Sequence, residues 1–203
     1  MRVMAILLAA GEGRRIGGPK ALLSASGESF LARACARFSR AAVDGIVAVL
    51  GHDGPLVAAQ AGVSSTVRLV QNPRYREGML GSMLAGLDAA EALGAGAVLI
   101  HPVDHPAVDG PTIDAVAGAL RSGAVVAVPV HGGRRGHPGG FARRSWSTLR
   151  AAPPGRGARA VLADHPEWVV HVPGGPGCRE GVDTPEDYHR LFGSPPVWHG
   201  VSP

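Results

Sequence analysis

Short uninterrupted apolar runs alternate along the chain with segments of helical periodicity, and this alternation restricts the possible fold most strongly. Each run is continuously apolar, which is the pattern of strands buried on both faces of a sheet. Strands that alternate with helices indicate βαβ units and an α/β sheet with helices on both sides. The predicted strands are residues 3–9, 45–50, 66–70, 97–101, 124–130 and 168–172.

Two of the segments between these strands have one apolar face at helical spacing. The first such face is made of Phe30, Leu31, Ala34, Cys35 and Phe38, and the second of Leu80, Met83, Leu84 and Leu87. At 203 residues the chain is long enough for one domain with a sizeable core. We expect that domain to span residues 1–192, followed by a Pro- and Gly-rich tail over residues 193–203 that is a surface extension docked by Trp198.

The glycine-rich segment HGGRRGHPGG, residues 131–140, interrupts the alternation after the fifth predicted strand. Its composition predicts a basic loop that is too flexible to be part of the core. Cys35 and Cys178 are far apart and lack metal-type spacing, so neither a disulfide nor a thiol site is expected.

The distribution of apolar residues argues against a membrane span and against a cleaved signal peptide. No apolar run reaches the roughly 18 residues of a membrane span, and the first residues lack a small-residue cleavage site. We therefore expect a soluble, unprocessed, cytoplasmic protein without a membrane partner.

The net charge of +4 and the pI near 9.8 fit an acidic partner. Because the arginines are scattered and do not interleave with aromatic side chains, phosphates on a small molecule are favoured over nucleic acid.

Ligands of open α/β sheets bind outside the carboxyl ends of the strands, so the segment AAGEGRRIGGPK after the first strand is the first candidate site. It is not a Walker loop, because Ala21 follows the lysine where Ser or Thr is needed. The dinucleotide fingerprint G-x-G-x-x-G does not fit either, because Ile16 occupies its third glycine position and the next glycine comes one residue later. Lys20 is the only lysine beside nineteen arginines, which suggests a crowded phosphate pocket that accepts a compact ammonium group and rejects a planar guanidinium.

Residues 8–23 read L-A-A-G-x-G-x-R-x-G-x-P-K-x-L-L, with position 18 as one of the variable positions. This pattern resembles the signature of the MobA-like nucleotidyltransferases, which include molybdenum cofactor guanylyl- and cytidylyltransferases. The resemblance implies a single-domain Rossmann-like, three-layer α/β/α (GT-A-like) fold with a mostly parallel mixed sheet. It also implies nucleotide contacts from Leu8, Ala9, Ala10, Gly11, Gly13, Arg15 and Lys20, of which Lys20 and Arg15 would be catalytic. Arg14 is interpreted as solvated.

Two further segments extend the resemblance. NPRYREGMLGSMLAGL, from Asn72, is similar to the family's base-binding segment, which implies that Asn72, Gly78, Gly81 and Ser82 belong to the nucleotide site. PVDHP and GVDTPEDY match the two metal-binding segments and imply that Asp104 and Asp183 hold Mg²⁺ or Mn²⁺, with Asp104 also catalytic.

The residues support this interpretation without the family, because Mg²⁺ binds through one or two carboxylates plus phosphates and both aspartates lie at predicted strand ends. Asp109 and Asp187 are assigned instead to helix caps. His101, His105, His131 and His137 are interpreted as scattered loop histidines rather than a zinc cluster.

The acceptor site is the least defined part of the prediction. GRRGHPGGF resembles the family segment near the acceptor, which implies contacts from Arg134, Arg135, His137 and Pro138. The family often has G-D-x-G-[AS]-R in the following segment, whereas this chain has PGRGAR with Gly155 at the acidic position.

The resulting hypothesis is a Mg²⁺-dependent nucleotidyltransferase that transfers CMP from CTP to a phosphorylated small molecule, with molybdopterin favoured and a molybdoenzyme or its chaperone as a further partner. Cytidine is favoured over guanine by Ala10, since LAAG rather than LAGG ends the first strand. One alternative is a guanylyl- or other nucleotidyltransferase that acts on a sugar or alcohol phosphate. Another is a module that binds a nucleotide or cofactor without catalysing a reaction.

Overall fold

The computed structural model describes residues 1–153 and 155–200, in which a mixed β-sheet lies between two layers of helices. The strand order across the sheet is β10-β7-β9-β6-β1-β4-β5, with β8 paired to β7, and β2 and β3 form a separate hairpin. The strands are β1 (Val3–Ala9), β2 (Ser24–Ala25), β3 (Glu28–Ser29), β4 (Ile46–Leu50), β5 (Arg68–Gln71), β6 (Ala97–Pro102), β7 (Val126–His131), β8 (Arg134–Arg135), β9 (Gly139–Ala142) and β10 (Val169–Pro173).

The helices connect these strands and cover both faces of the sheet. They are α1 (Phe30–Arg40), α2 (Gly54–Gln60), α3 (Met79–Ala92), α4 (Gly110–Arg121), α5 (Trp146–Arg150), α6 (Ala158–Asp164) and α7 (Pro185–Phe192). The predicted caps are confirmed: Asp109 accepts a hydrogen bond from the Thr112 amide at the start of α4, and Thr184 with Asp187 forms a capping box at the start of α7. Within the described residues, no helix is sufficiently long and apolar to cross a membrane.

Strand β1 is buried along its whole length because helices pack on both of its faces. Leu7 and its alternate neighbours belong to a core shared with α1, α4 and Tyr188 of α7, whereas Ile6 and its alternate neighbours pack with α3, α5 and α6. A strand buried on both faces has no polar positions, which explains its continuous apolar run. The three-layer fold with a mostly parallel mixed sheet is therefore confirmed.

β1 pairs in parallel with both β4 and β6, with Ala9 opposite Leu50 and Leu8 opposite Pro102. The carboxyl ends of these three strands consequently meet at one edge of the sheet. The segments that follow them, which start at Ala10, Gly51 and Val103, lie side by side there. The six predicted strands are all present, with ends displaced by at most two residues.

The prediction for the glycine-rich segment was wrong. Residues 139–142 form β9, which lies antiparallel between β6 and β7 in the middle of the sheet. Glycine is needed there because α4 packs close to the backbone: a Cβ added to Gly140 would lie 2.7 Å from Cγ1 of Val116 and 2.9 Å from Cδ1 of Leu120. The same glycine content that suggests flexibility thus permits close packing.

Candidate active site

A cavity of about 510 Å³ opens at the carboxyl ends of β1 and β6, and we call it the first cavity. Most residues that the sequence assigned to the nucleotide lie in its wall. The lining residues are Leu8, Ala9, Ala10, Gly11, Gly13, Arg14, Arg15, Lys20, Ala21, Tyr75, Gly78, Met79, Ser82, Pro102, Val103, Asp104 and Asp183.

The segment after β1, residues 10–19, is the glycine loop, and it is curled around one carbonyl group. The Gly13 oxygen accepts hydrogen bonds from the amides of Ile16, Gly17 and Gly18, at 3.0, 3.0 and 3.2 Å. Gly13 has a φ of 63°, and a Cβ there would lie 1.8 Å from the Gly18 oxygen, so no other residue fits this turn. Ile16 is buried beneath the loop, which anchors the loop to the core.

Lys20 joins the two aspartates that the sequence assigned to the metal. Its Nζ donates to Oδ2 of Asp104 at 2.8 Å and also to Oδ1 of Asp183, while a guanidinium nitrogen of Arg15 lies 2.9 Å from the same Asp183 oxygen. The Lys20 side chain is only 15% exposed. Four residues from three distant parts of the chain thus form one charged group at the floor of the first cavity.

Asp183 reaches this position through the loop before α7. It does not lie at a strand end as predicted, because β10 ends at Pro173 and a further loop follows. The Val182 amide donates to the Asp104 carbonyl at 2.8 Å, which holds the two loops together. The Asp183 amide donates to the cap carboxylate of Asp187 at 3.0 Å, so the helix cap also orients the residue beside it.

The charges in this group stabilise one another. Burial favours the neutral amine of Lys20, but Asp104 and Asp183 outweigh it and raise the pKa of Lys20 above its usual value. The hydrogen bond from Lys20, supported by Arg15, lowers the pKa of Asp183. The carboxylate and the ammonium group therefore stay charged at neutral pH.

The two aspartates fit a divalent cation that is completed by phosphate oxygens. Their carboxylates converge on one positive group, and Oδ1 of Asp104 is a buried oxygen without a hydrogen-bond partner among the described residues. The part of the chain that the structure describes contains no group of three His, Cys, Asp or Glu residues arranged to hold a metal alone. Two carboxylates would suit Mg²⁺ or Mn²⁺ only with substrate oxygens as further ligands.

Asn72 lies behind the wall of the first cavity. It is buried, its Nδ2 donates to Oγ of Ser82 at 3.0 Å, and its Oδ1 accepts from the Arg74 amide at 3.0 Å. Gly81 also lies on this side, since a Cβ there would be 3.7 Å from the Asn72 Nδ2. Ser82 and Gly78 face the cavity, whereas Asn72 and Gly81 support them.

Ala10 is 7% exposed and lies beside the end of β4. A Cβ added to Gly51 would be 2.6 Å from the Ala10 oxygen, 2.8 Å from the Ala10 Cβ and 2.6 Å from the Tyr75 Cβ. The shape of this end of the first cavity therefore depends on Gly51 and Tyr75 as well as on Ala10. Sequence reasoning missed Tyr75, although it lies in the segment that begins at Asn72.

A second cavity of about 700 Å³ continues from the first and shares Leu8, Gly78, Met79 and Pro102 with it. Its floor is apolar, and three arginines and one glutamate supply its charges. The lining residues outside the shared wall are Glu77, Leu80, Met83, Ile100, Val128, Arg135, Gly136, His137, Gly139, Phe141, Gly155, Arg156, Gly157, Ala158, Arg159, Leu162 and Ala163.

The acceptor residues assigned from the sequence separate into two groups. Arg135 and His137 line the second cavity. Arg134 pairs with His131 on exposed strand β8, and Pro138 is buried after the cis His137–Pro138 bond, so neither lies in its wall. Gly155 lines the cavity, so the acidic side chain expected from the family is missing from the wall itself. Sequence reasoning missed Arg156 and Arg159, although both stand in the PGRGAR segment around Gly155.

The interpretation of the histidines as scattered was wrong for three of them, although His105 and His137 do lie in loops. His101 is fully buried in β6, its ring centroid lies 6.3 Å from that of His105, and the His105 centroid lies 4.6 Å from that of His137. Burial, with the neighbouring histidine second, lowers the pKa of His137 to about 4. The row is uncharged at neutral pH, because burial also lowers the pKa values of the other two rings. His131 stands apart and contacts the Gly174 oxygen.

Residues 5–169 match the model of the MobA-like NTP transferase domain. The chain belongs to this family. It is 38% identical over 134 residues to 2-C-methyl-D-erythritol 4-phosphate cytidylyltransferase of Deinococcus radiodurans, and the aligned residues cover 64% of this chain and 52% of that one. It is 36% identical over 111 residues to molybdenum cofactor guanylyltransferase of Cereibacter sphaeroides, which covers 54% of each. The chain spans about half the length of these relatives.

Solved structures have the same fold as this MobA-like domain. Rv0371c of Mycobacterium tuberculosis superposes with a TM-score of 0.81 at 23% identity, covering 96% of this chain and 99% of that one. The same protein has also been solved in complex with manganese. At this level of identity the likeness shows the fold alone.

Proposed function

We propose that the protein is a Mg²⁺-dependent nucleotidyltransferase that transfers CMP from CTP to a phosphorylated acceptor, with molybdopterin favoured, and releases pyrophosphate. The observation that carries the proposal is the convergence of Lys20, Asp104 and Asp183 under the glycine loop. An ammonium group and two carboxylates at the base of a glycine-rich loop suit a triphosphate with its divalent cation. Family membership supports the same reaction class.

In this reaction an oxygen of the acceptor phosphate attacks the α-phosphorus of the nucleotide. The new P–O bond forms as the bond from the α-phosphorus to the bridging oxygen breaks, and pyrophosphate leaves with its electron pair. Negative charge develops on the leaving group, so positioning and neutralisation are the main tasks of the protein. Lys20 and Arg15 would supply positive charge to the β- and γ-phosphates.

A Mg²⁺ or Mn²⁺ ion held by Asp104 and Asp183 would neutralise the phosphate oxygens when bound. Binding of the nucleotide must compete with the contacts between Lys20 and these carboxylates. Lys20 would then turn from the aspartates toward the β- and γ-phosphates, and Asp104 and Asp183 would be free to hold the divalent ion. The manganese complex of the M. tuberculosis protein supports a divalent ion in this fold.

The second cavity is the proposed acceptor site, because it opens into the first through their shared wall. Its apolar floor suits a flat or hydrophobic body, and Arg135, Arg156 and Arg159 suit an anionic group. Cytidine is favoured by Ala10 and by the relative named as a cytidylyltransferase. The apolar floor and the three arginines of the second cavity support molybdopterin as the acceptor, with a molybdoenzyme or its chaperone as a further partner.

A second candidate is transfer to a sugar or alcohol phosphate. It is favoured by Gly155, which lacks the acidic side chain expected beside molybdopterin, and by the relative named for 2-C-methyl-D-erythritol 4-phosphate. A guanylyltransferase is the corresponding alternative for the nucleotide.

Pyrophosphate release tests these proposals. Each of CTP, GTP, ATP and UTP is combined with molybdopterin, with 2-C-methyl-D-erythritol 4-phosphate and with a set of sugar phosphates, in the presence of Mg²⁺ or Mn²⁺. Turnover of molybdopterin with CTP is the expected result. Turnover with GTP but not CTP would contradict the nucleotide assignment, and turnover only with another acceptor would contradict molybdopterin. Tight nucleotide binding without pyrophosphate from any acceptor would support a non-catalytic module.

A further inference from the structure

We propose that the C-terminal segment 197–199 holds the glycine loop in the shape that binds the triphosphate, and that Trp198 is the positioning residue. The inference rests on the proposed nucleotide site. It concerns contacts outside the lining of both cavities, since neither Trp198 nor its neighbours belong to those walls.

The segment runs antiparallel to residues 22–24 as a short added strand. The Ser24 amide donates to the Val197 oxygen at 2.8 Å, the His199 amide donates to the Leu22 oxygen at 2.7 Å, and Leu23 is opposite Trp198 in an isolated bridge. This pairing begins two residues after Lys20 in the chain. The backbone on one side of Lys20 is thereby fixed to the C-terminal segment.

The indole ring of Trp198 fixes the other side. A Cβ added to Gly18 would lie 3.0 Å from Cη2 and 3.3 Å from Cζ3 of Trp198, so the ring packs directly on the backbone of the loop. Gly18 does not have a positive φ, and an added Cβ would be closer to the indole than most Cβ contacts are, so glycine permits this close approach. Trp198 itself is partly buried against the core of the domain.

Gly18 occupies a variable position of the signature that the loop resembles. The signature itself therefore does not specify glycine at position 18. The Gly18 amide is one of the three that donate to the Gly13 oxygen. The contact of the indole with Gly18 therefore stabilises the curled conformation of the glycine loop. A phosphate bound by the remaining backbone amides of the loop would depend on that curl.

Tyr188 connects the same region to helix α7. Its hydroxyl donates to the Ser24 oxygen, and its ring stacks on Phe30 with centroids 6.2 Å apart. Ser24 is thus held by its amide to the C-terminal segment and by its carbonyl to α7. Helix α7 begins two residues after Asp183. The same helix therefore contacts the segment that follows Lys20 and positions Asp183.

The test compares Trp198→Ala, Gly18→Ala and the double variant, with Trp168→Ala as the matched control. Trp168 stacks on His165 and lines neither cavity. The dissociation constants for CTP and GTP with Mg²⁺ are measured by calorimetry, together with KM, kcat and the melting temperature. We expect Trp198→Ala and Gly18→Ala each to weaken nucleotide binding about tenfold while kcat at saturation changes by less than about twofold.

The double variant tests the contact itself. Removing the indole makes room for the added methyl group, so Gly18→Ala should cost less in the Trp198→Ala background than in the wild type. Trp198→Phe should recover part of the affinity. A spectroscopic readout accompanies these measurements: nucleotide should change the tryptophan emission of the wild type and of Trp168→Phe, and that change should be lost in Trp198→Phe.

Unchanged nucleotide affinity in Trp198→Ala and Gly18→Ala would overturn the inference. It would also be overturned if Trp198→Ala lowered only the melting temperature, since the residue would then be structural alone. The proposed function fails differently, because in that case the wild type itself would neither bind a nucleoside triphosphate nor release pyrophosphate.

Discussion

Lys20 Nζ lies 2.8 Å from Oδ2 of Asp104, a contact between residues 84 positions apart that joins the glycine loop to the end of β6. The ammonium group also contacts Asp183, so one cation is shared by two carboxylates at the floor of the first cavity. This arrangement leads to the first prediction.

Replacing Lys20 by Ala should lower kcat/KM for the nucleotide by about 10²–10³, because a charge that stabilises the leaving group is lost. Lys20→Arg should restore little of it, since the side chain is 15% exposed and a planar guanidinium is wider than the ammonium group that contacts both aspartates. Steady-state pyrophosphate release measures both. Arg40→Lys is the control, as Arg40 is exposed at the end of α1 and lines neither cavity. Full activity in Lys20→Arg would contradict the explanation for the lone lysine.

Asp104→Asn should abolish metal-dependent turnover and leave the fold intact, because an amide is a poorer Mg²⁺ ligand than a carboxylate. The checks are turnover as a function of Mg²⁺ and Mn²⁺ concentration and the circular dichroism spectrum. Asp88→Asn is the matched control, since Asp88 pairs with Arg150 on the surface. Wild-type rates at all metal concentrations in Asp104→Asn would remove the metal assignment.

Arg159→Ala should raise KM for the acceptor about tenfold and leave the nucleotide KM unchanged, because this arginine lines only the second cavity. Arg144→Ala changes the net charge equally, and Arg144 lies over the Trp168 ring outside both cavities. Measuring both KM values with the best acceptor decides the result. An equal rise of the two KM values, or the same effect in Arg144→Ala, would argue against an acceptor site there.

Gly140→Ala should lower the free energy of unfolding by about 1–3 kcal/mol, because its methyl group would meet Val116 and Leu120 in a packed core. Gly118→Ala is the contrasting variant in helix α4, where an added Cβ meets nothing within 4 Å. That change should raise the free energy of unfolding by about 0.5–1 kcal/mol. Urea denaturation measures both, and a neutral Gly140→Ala would show that α4 packs less closely on β9.

Stability should fall as the pH drops from 7 to 5. Burial lowers the pKa of His137 to about 4, well below its unfolded value near 6.5, so the unfolded chain binds more protons between these two values. The stabilisation is complete above about pH 6.5 and is lost as the pH falls toward 4, with about 2 kcal/mol lost by pH 5 from this residue. Urea titrations at several pH values measure it. The slope should be smaller in His137→Gln and unchanged in His189→Gln, which replaces an exposed histidine.

Much of the fold followed from local patterns. The buried strands were predictable because helices cover both faces of β1, β4 and β6 and leave no polar positions in them. β9 was not predictable, because its glycines carry no apolar pattern and are explained only by the approach of α4. The close approach of Trp198 to Gly18 was not predictable either, because the two residues are far apart in the sequence.

The sequence by itself determined the α/β class, the family resemblance and the residue types of the candidate site, since apolar periodicity and the spacing of Gly, Lys and Asp are local properties. Only the tertiary structure decided which of these residues meet. Asn72 lies behind Ser82 rather than in the cavity, three histidines form a row that begins at the fully buried His101, and Arg156 and Arg159 reach the second cavity. The physical reason is that such contacts depend on how strands and helices pack across long separations in sequence, and local spacing carries no information about that packing.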